Sequence, residues 1–262
     1  MKLVSIASGS SGNCICVSNQ DTNFLVDTGI SRKRIVGGLQ EIGVDPASLG
    51  GIFVTHEHND HISGLGVFLR KYPVPVFATG KTIDAIFASG SLGKVDRKLF
   101  HSLQPDRPFE MEGLTVEASS TLHDAAAPVC YTFSEGETKT AIATDLGTFD
   151  DYLIDKLSGC ETLLLEANHD LNMLMVGPYP YPLKRRILSN SGHLSNERAG
   201  QLLSRILGKN LKQVMLGHLS KENNFAELAY ETVVSELAMH GINLEEKGVQ
   251  IKVASRTELT GF

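Results

Sequence analysis

The sequence predicts an α/β (α+β) protein built as a four-layer αβ/βα sandwich. Three observations predict it. Strand-like stretches fall into two runs, each run is finished by helices, and no Pro/Gly/Ser-rich linker or shift in composition separates the halves over 262 residues. In such a sandwich a site lies at one edge between the two sheets. A single domain spanning 1–262 is expected.

Taken in order, 2–7, 13–19 and 23–26 read as strands, the first two joined by Gly9-Ser10-Ser11-Gly12-Asn13. That loop has the composition of a phosphate cradle but lies between strands, with no Lys-Ser/Thr and no following helix. It reads as a hairpin turn, bordering the site through Ser11 and Asn13. Ile35, Leu39 and Ile42 mark a helix stopped by Gly43. Strand 52–55 follows, then a helix carrying Ile62, Leu65, Phe68 and Leu69, a strand over 74–78 and a helix over 81–88. Further strands are expected at 98–103, 107–111, 114–121, 128–134, 138–144, 161–165, 212–216 and 249–253. Helices are expected over 149–157, after Ser195, and over 224–238. Residues 171–192, with Pro178, Pro180 and Pro182, read as irregular.

The chemistry concentrates after strand 52–55, in His56-Glu57-His58-Asn59-Asp60-His61. Three imidazoles and two carboxylates at the end of a buried strand are costly to desolvate unless something binds them. A divalent first-row cation does so. On an extended segment His56 and His58 point the same way, while Asp60 and His61, at the turn into a helix, aim at a neighbouring point. The segment thus offers two ligand pairs to two adjacent metals.

Other chemistry-bearing residues also stand at strand ends. Asp27 closes an apolar strand, poised to orient a ligand histidine, or else to cap the helix starting near Ser31. His123 ends strand 114–121, as ligand or surface imidazole. Asp145 ends strand 138–144, where a carboxylate rarely serves packing; its alternative is to cap helix 149–157. Glu166, His169, His193 and His218 lie in turns after later strands. Of the nine histidines only His101 and His240 sit within or beside ordinary elements.

Bulk properties narrow the classes. Hydrophobic content of 42% and charged content of 21% are ordinary for a globular protein. A net charge of −6 argues against a broadly basic nucleic-acid surface while leaving room for a local patch, and Lys184-Arg185-Arg186 is the one basic cluster beside site residues. No apolar run is long enough to span a membrane, and the one after Met1 is too short for a signal peptide. Cys14, Cys16, Cys130 and Cys160 form no Cys-x-x-Cys pair and read as small hydrophobes of a reducing compartment. A cytoplasmic protein with no membrane contact is expected.

His-x-His-x-Asp-His after a strand resembles the signature of the metallo-β-lactamase fold superfamily. The resemblance implies that His56, His58 and His123 hold one metal and that Asp60, His61 and His218 hold a second. Asp145 and a water or hydroxide bridge the two, with Asp27 beside the centre. Zn²⁺ or Mn²⁺ suits such ligands. Glu166 with His193 resembles the Glu/His pair of tRNase Z-type enzymes, in which the histidine protonates the leaving oxygen; Glu166 or His169 would stand behind it. Gly9-Ser-Ser-Gly-Asn13, Glu166-Ala-Asn-His-Asp170, Gly192-His-Leu-Ser-Asn196 and Gly217-His-Leu-Ser-Lys-Glu-Asn-Asn224 look like the bacterial WalJ (YycJ) family. That resemblance implies a cytoplasmic two-metal phosphodiesterase with 5′-3′ DNA exonuclease activity, and a nucleic-acid substrate near Lys184, Arg185 and Arg186.

Only 72 positions separate Asp145 from His218, so the large extra domain of β-CASP nucleases is missing. Competing readings are a hydrolase of small esters, thioesters or cyclic phosphodiesters, and a non-catalytic metal-binding regulator. Steep salt dependence of oligonucleotide binding separates the first from a nuclease. The full ligand set speaks against the second.

Overall fold

A computed structural model describes residues 1–262. One seven-stranded sheet runs β1 (Lys2–Ala7), β2 (Cys14–Ser18), β3 (Asn23–Val26), β4 (Gly51–Phe53), β5 (Val76–Thr79) and β6 (Phe100–Leu103). The other runs β7 (Phe109–Met111), β8 (Leu114–Ser120), β9 (Val129–Glu135), β10 (Thr138–Ala143), β11 (Thr162–Glu166), β12 (Gln213–Gly217) and β13 (Gln250–Val253). The chain then returns to the first sheet as β14 (Thr260–Gly261), antiparallel to β1. Helices α1 (Arg32–Glu41), α2 (Asn59–Ile62), α3 (Leu65–Leu69) and α4 (Gly80–Ala88) belong to the first half. The second half holds α5 (Asp151–Leu157), α6 (Leu171–Val176), α7 (Tyr181–Ile187), α8 (Asn196–Ile206), α9 (Ala226–Met239) and α10 (Leu244–Lys247).

The four layers follow from the period of two along each strand. Phe24, Val26 and Phe53 meet Tyr131, Phe133, Ile142, Leu164 and Met215 in the core between the sheets. Their alternating neighbours Leu25, Ile52 and Val54 pack outward in the core that holds Ile35 and Leu39 of α1 and Phe68 of α3. Ala141, Leu163 and Val214 pack outward in a third core with Leu202 of α8 and Val233 of α9. All four cysteines are buried free thiols, and burial raises Cys130 to about 12.

Phe53 anchors the inter-sheet core immediately before the histidine tract. Its ring lies 5.1 Å from Phe77 and 5.3 Å from both Tyr131 and Phe133. Phe53→Ala is expected to cost about 3–5 kcal/mol of stability, read as a lower denaturant midpoint. A loss well under about 1 kcal/mol would show that this core does not hold the sheets together.

Both sheets begin as antiparallel meanders and continue in parallel: β3 to β6 in one, β10 to β13 in the other. Open α/β sheets place their ligands beyond the carboxyl ends of such strands. Asp27, His56, Asp145, Glu166 and His218 all stand there, after or at the ends of β3, β4, β10, β11 and β12.

The structure departs from the sequence expectation in three places. The helix expected through Ile62 and Leu69 is broken at Gly64, whose Cβ, if present, would stand 2.0 Å from the Ile30 carbonyl oxygen. The stretch expected to be irregular holds α6 and α7. Pro182 falls in the first turn of α7, where its missing N–H has no intrahelical partner to lose. Finally, β14 and α10 are too short to leave a periodic pattern. No helix is long and apolar enough to cross a membrane.

Candidate metal centre

Two clusters meet at the sheet edge. His56, His58 and His123 form one; Asp60, His61, Asp145 and His218 form the other. Asp145 stands between them. Its Oδ2 lies 3.1 Å from His61 Nε2, and its Oδ1 lies 3.4 Å from His218 Nε2 and 3.6 Å from His123 Nε2. The Asp60 carboxylate is 3.5 Å from His61 Nε2 and 3.8 Å from His218 Nε2.

Backbone conformation aims these groups. Asp27, Asp145 and His218 each end a strand in the left-handed region, with φ of 61°, 60° and 56°. That costs a non-glycine residue of the order of 1 kcal/mol or more and is kept where the surroundings enforce it. Ser8 Oγ accepts from the His218 N–H at 2.9 Å, and Asn168 Nδ2 donates to its carbonyl at 2.9 Å, clamping His218 from both sides.

Hydrogen bonds turn the imidazoles. Asp27 Oδ2 lies 2.7 Å from His61 Nδ1, and Asp27 Oδ1 also accepts the Thr55 N–H at 2.9 Å. Ser31, not Asp27, caps α1, and Asp150, not Asp145, caps α5. Both carboxylates are thus free of the capping alternative. The Thr55 hydroxyl lies 3.0 Å from His56 Nδ1 and 3.1 Å from His61 Nδ1, and His123 Nδ1 lies 2.9 Å from the Gly192 carbonyl. Each of these contacts leaves the opposite ring nitrogen facing the centre.

Those inward atoms are conspicuously unpartnered. His56 Nε2 and His218 Nε2 are buried without a hydrogen bond, and Asp145 Oδ2 has only its 3.1 Å contact with His61 Nε2. Two orphaned imidazole nitrogens, one in each cluster, would cost about 1–3 kcal/mol each unless a ligand takes them. Burial and the neighbouring His61 push His56 well below the usual imidazole range, so its lone pair is available. Burial opposes the charge on Asp145, but His218, His61 and His56 hold it well below the usual carboxylate range. Burial likewise disfavours a charged His61, yet Asp145, Asp27 and Asp60 raise it well above its ordinary value. Negative charge of this density around an imidazole is what a divalent cation neutralises in place of the proton. The residues present therefore fit divalent metal ions.

His193 stands beside this centre on its own support. Its Nδ1 lies 2.7 Å from Glu166 Oε1, and Glu166 Oε2 accepts the N–H groups of Leu146 at 2.8 Å and Leu194 at 3.1 Å. Asp145, Glu166, His193 and His218 also satisfy ligand spacing as a group. With both Glu166 oxygens already accepting, that group reads as a hydrogen-bonded pair beside two candidate ligands. Burial opposes protonation of His193, but Glu166 and Asp145 raise it to about 9. Its ring stacks on His218 at 5.3 Å. His169 does not take the position behind it: its Nδ1 faces Asn168 Oδ1 at 3.3 Å, and burial lowers it to about 4.

A cavity of about 210 Å³ opens over these groups, walled by Ser10, Tyr179, Leu183 and Arg186 around His58, Asp60, Asp145, His193 and His218. Of the three consecutive cations expected near substrate, only Arg186 reaches this wall. On a helix, successive residues point about 100° apart. Lys184 Nζ accordingly donates to the Met175 carbonyl at 2.7 Å, and Arg185 is exposed. Arg186 pairs with Asp124, its Nη2 standing 3.1 Å from Oδ1. Ser11 lies in an adjacent hollow beside Leu219 and Phe225, and Ser10 takes the position at the cavity. Asn13 is buried: its Oδ1 accepts the Gly9 N–H at 3.0 Å and its Nδ2 donates to the Asp60 carbonyl at 3.3 Å, so it positions the metal tract and cannot face substrate.

A sequence profile described as the β-lactamase superfamily domain matches residues 22–219. The chain is 41% identical over 248 residues to the exodeoxyribonuclease WalJ of Streptococcus pneumoniae, covering 95% of this chain and 91% of that one. The chain belongs to the WalJ/YycJ family of the β-lactamase superfamily. A second member, the exodeoxyribonuclease YycJ of Bacillus anthracis, is 37% identical over 243 residues, 92% of this chain and 90% of that one. The fold of this WalJ/YycJ chain matches the metallo-β-lactamase fold protein YhfI of Bacillus subtilis with a TM-score of 0.71, at 15% identity over 100% of this chain and 99% of that one.

Proposed function

We propose that this chain is a single-domain two-metal phosphodiesterase, a cytoplasmic 5′-3′ exonuclease acting on DNA. His56, His58 and His123 would hold one cation and Asp60, His61 and His218 the other, with Asp145 shared between them. Zn²⁺ and Mn²⁺ both suit these ligands. When bound, two such cations lower the pKa of a water and stabilise the attacking and departing oxygens of an in-line displacement. The chain's own residues supply the rest. Asp27 and Thr55 fix the ring of His61, Asn13 holds the backbone of Asp60, and Glu166 keeps His193 protonated to give its proton to the departing oxygen.

The observation that carries this reading is the 2.7 Å Glu166–His193 pair, set beside two ligand clusters that are complete without it. A poor leaving group such as a nucleotide oxygen needs that proton. The relatives named as exodeoxyribonucleases support the same chemistry. Digestion of end-labelled single- and double-stranded DNA and RNA by chelator-stripped protein, with Zn²⁺ or Mn²⁺ restored, tests it. Release of nucleotides from the 5′ end of DNA is expected. Hydrolysis of small esters with no attack on any polynucleotide would overturn it.

Changing Lys184, Arg185 and Arg186 together to Ala is expected to raise KM for oligonucleotides and to flatten the salt dependence. Each lost phosphate contact removes about 0.7 from the logarithmic slope on a single strand. Arg186, the residue at the cavity wall, should account for most of the change in KM. An unaltered slope would make the run a solvated surface.

A further inference from the structure

Of the four buried ligand imidazoles, three are turned by a partner at Nδ1. The Thr55 hydroxyl stands there for His56, Asp27 for His61 and the Gly192 carbonyl for His123. His218 has no such partner: its Nδ1 is buried without a hydrogen bond. Its aim therefore comes from the backbone, which leaves β12 in the left-handed region at φ 56°. Such a conformation persists only where the surroundings over-determine it. Ser8 and Asn168 hold the peptide groups of His218 itself, and the turn that follows has a fastener of its own. Three carbonyls of that turn converge on one guanidinium. Arg256 Nε donates to Leu219 at 3.3 Å, and its Nη2 donates to Ser220 and, at 3.5 Å, to Asn224.

Arg256 reaches the turn from the link between β13 and β14, where the chain passes from the second sheet back to the first. That link is tied to the first half of the chain. The Ser255 carbonyl accepts the Ser8 N–H at 3.1 Å, and the Arg256 carbonyl accepts from Arg34 Nη2 of α1 at 2.7 Å. The side chain crosses over Gly9, where a Cβ would stand 2.9 Å from Arg256 Cγ. We propose that Arg256 is a positioning residue for the second cation site: its planar fork pins the turn after His218 and so aims an imidazole that has no outer hydrogen bond. This role rests on the two-cation reading above and is confined to the second site. His56 and His123 keep their own partners at Thr55 and Gly192, neither of which Arg256 bonds. Releasing the turn lets His218 relax out of its strained conformation and leaves the first site as it was.

Equilibrium dialysis of the full-length, chelator-stripped protein against buffered Zn²⁺ tests it. Arg256→Met keeps the aliphatic stem and removes the donors. It should bind the first equivalent as wild-type protein does and the second about 10- to 100-fold more weakly, the range for a lost partner of a metal ligand. In a His218→Ala background, which retains only the first site, the same substitution should change nothing, because its effect passes through His218. A merely structural arginine would weaken the remaining site there too. Arg256→Lys keeps the charge but not the fork, so it also should weaken the second equivalent, and it decides the matter if Arg256→Met does not fold. Equal weakening of both equivalents, an undiminished second equivalent in the folded variants, or a loss in the His218→Ala background would each overturn the role of Arg256. Wild-type protein that takes up only one equivalent would instead sink the two-cation reading.

Discussion

Asp60→Ala protein is expected to fold normally and to cleave DNA at least about a hundredfold more slowly. The reasons are separable. The Asp60 side chain is about a quarter exposed and lies in the first turn of α2, whose helix it does not cap. Its tie to the rest of the fold is the backbone carbonyl, which accepts the Asn13 N–H at 2.8 Å and survives the substitution. The chemistry has no such reserve. Burial opposes its charge, yet His61 and His218 hold the Asp60 carboxylate below its ordinary pKa, so it is an anion facing both imidazoles of the proposed second metal. Near-normal turnover by metal-replete Asp60→Ala protein would remove the second metal from the account.

His193→Ala is expected to slow cleavage of oligonucleotides by about 10²–10⁴-fold, the range for a lost acid–base group. The substitution leaves Glu166 Oε1 buried without its partner, while Oε2 keeps two backbone donors. A stability loss of about 1–3 kcal/mol follows, which a folded domain of this size tolerates. The distinguishing feature is dependence on the leaving group. A nitrophenolate departs without a proton, so the loss should shrink for nitrophenyl diesters. An equal loss on both substrates would show that His193 does something other than donate that proton.

How much of this was legible in the sequence depends on how local each contact is. The tract His56 to His61 is contiguous, so its density of ligands and its two directions could be read directly. Asp145 and His218 stood out because a charged or ligating group at the end of an apolar strand is seldom there for packing. What their sequence positions did not reveal is the strained left-handed turn that aims each of them. Thr55 escaped notice because its hydroxyl matters through Asp27, a residue brought to it only by the pairing of β3 with β4. Ser8 and Asn168 were hidden likewise, since each acts on His218 from another strand end.

The basic run misled for a different reason. Read as loop, Lys184, Arg185 and Arg186 form one patch; wound into α7, they are divided among three directions and only one faces the cavity. Helical phase decided this, and the prolines that argued against a helix in fact start one. Ser11 was misplaced by one residue for a similar reason, because the turn between β1 and β2 presents Ser10 to the site.

The central claim is that seven residues hold two cations and leave His193 free. Elemental analysis of metal-reconstituted wild-type, His193→Ala and His218→Ala proteins tests it most directly. Two equivalents per chain are expected in wild-type and His193→Ala protein, and one in His218→Ala. Loss of an equivalent from His193→Ala, with two retained in His218→Ala, would contradict the account and make His193 the ligand.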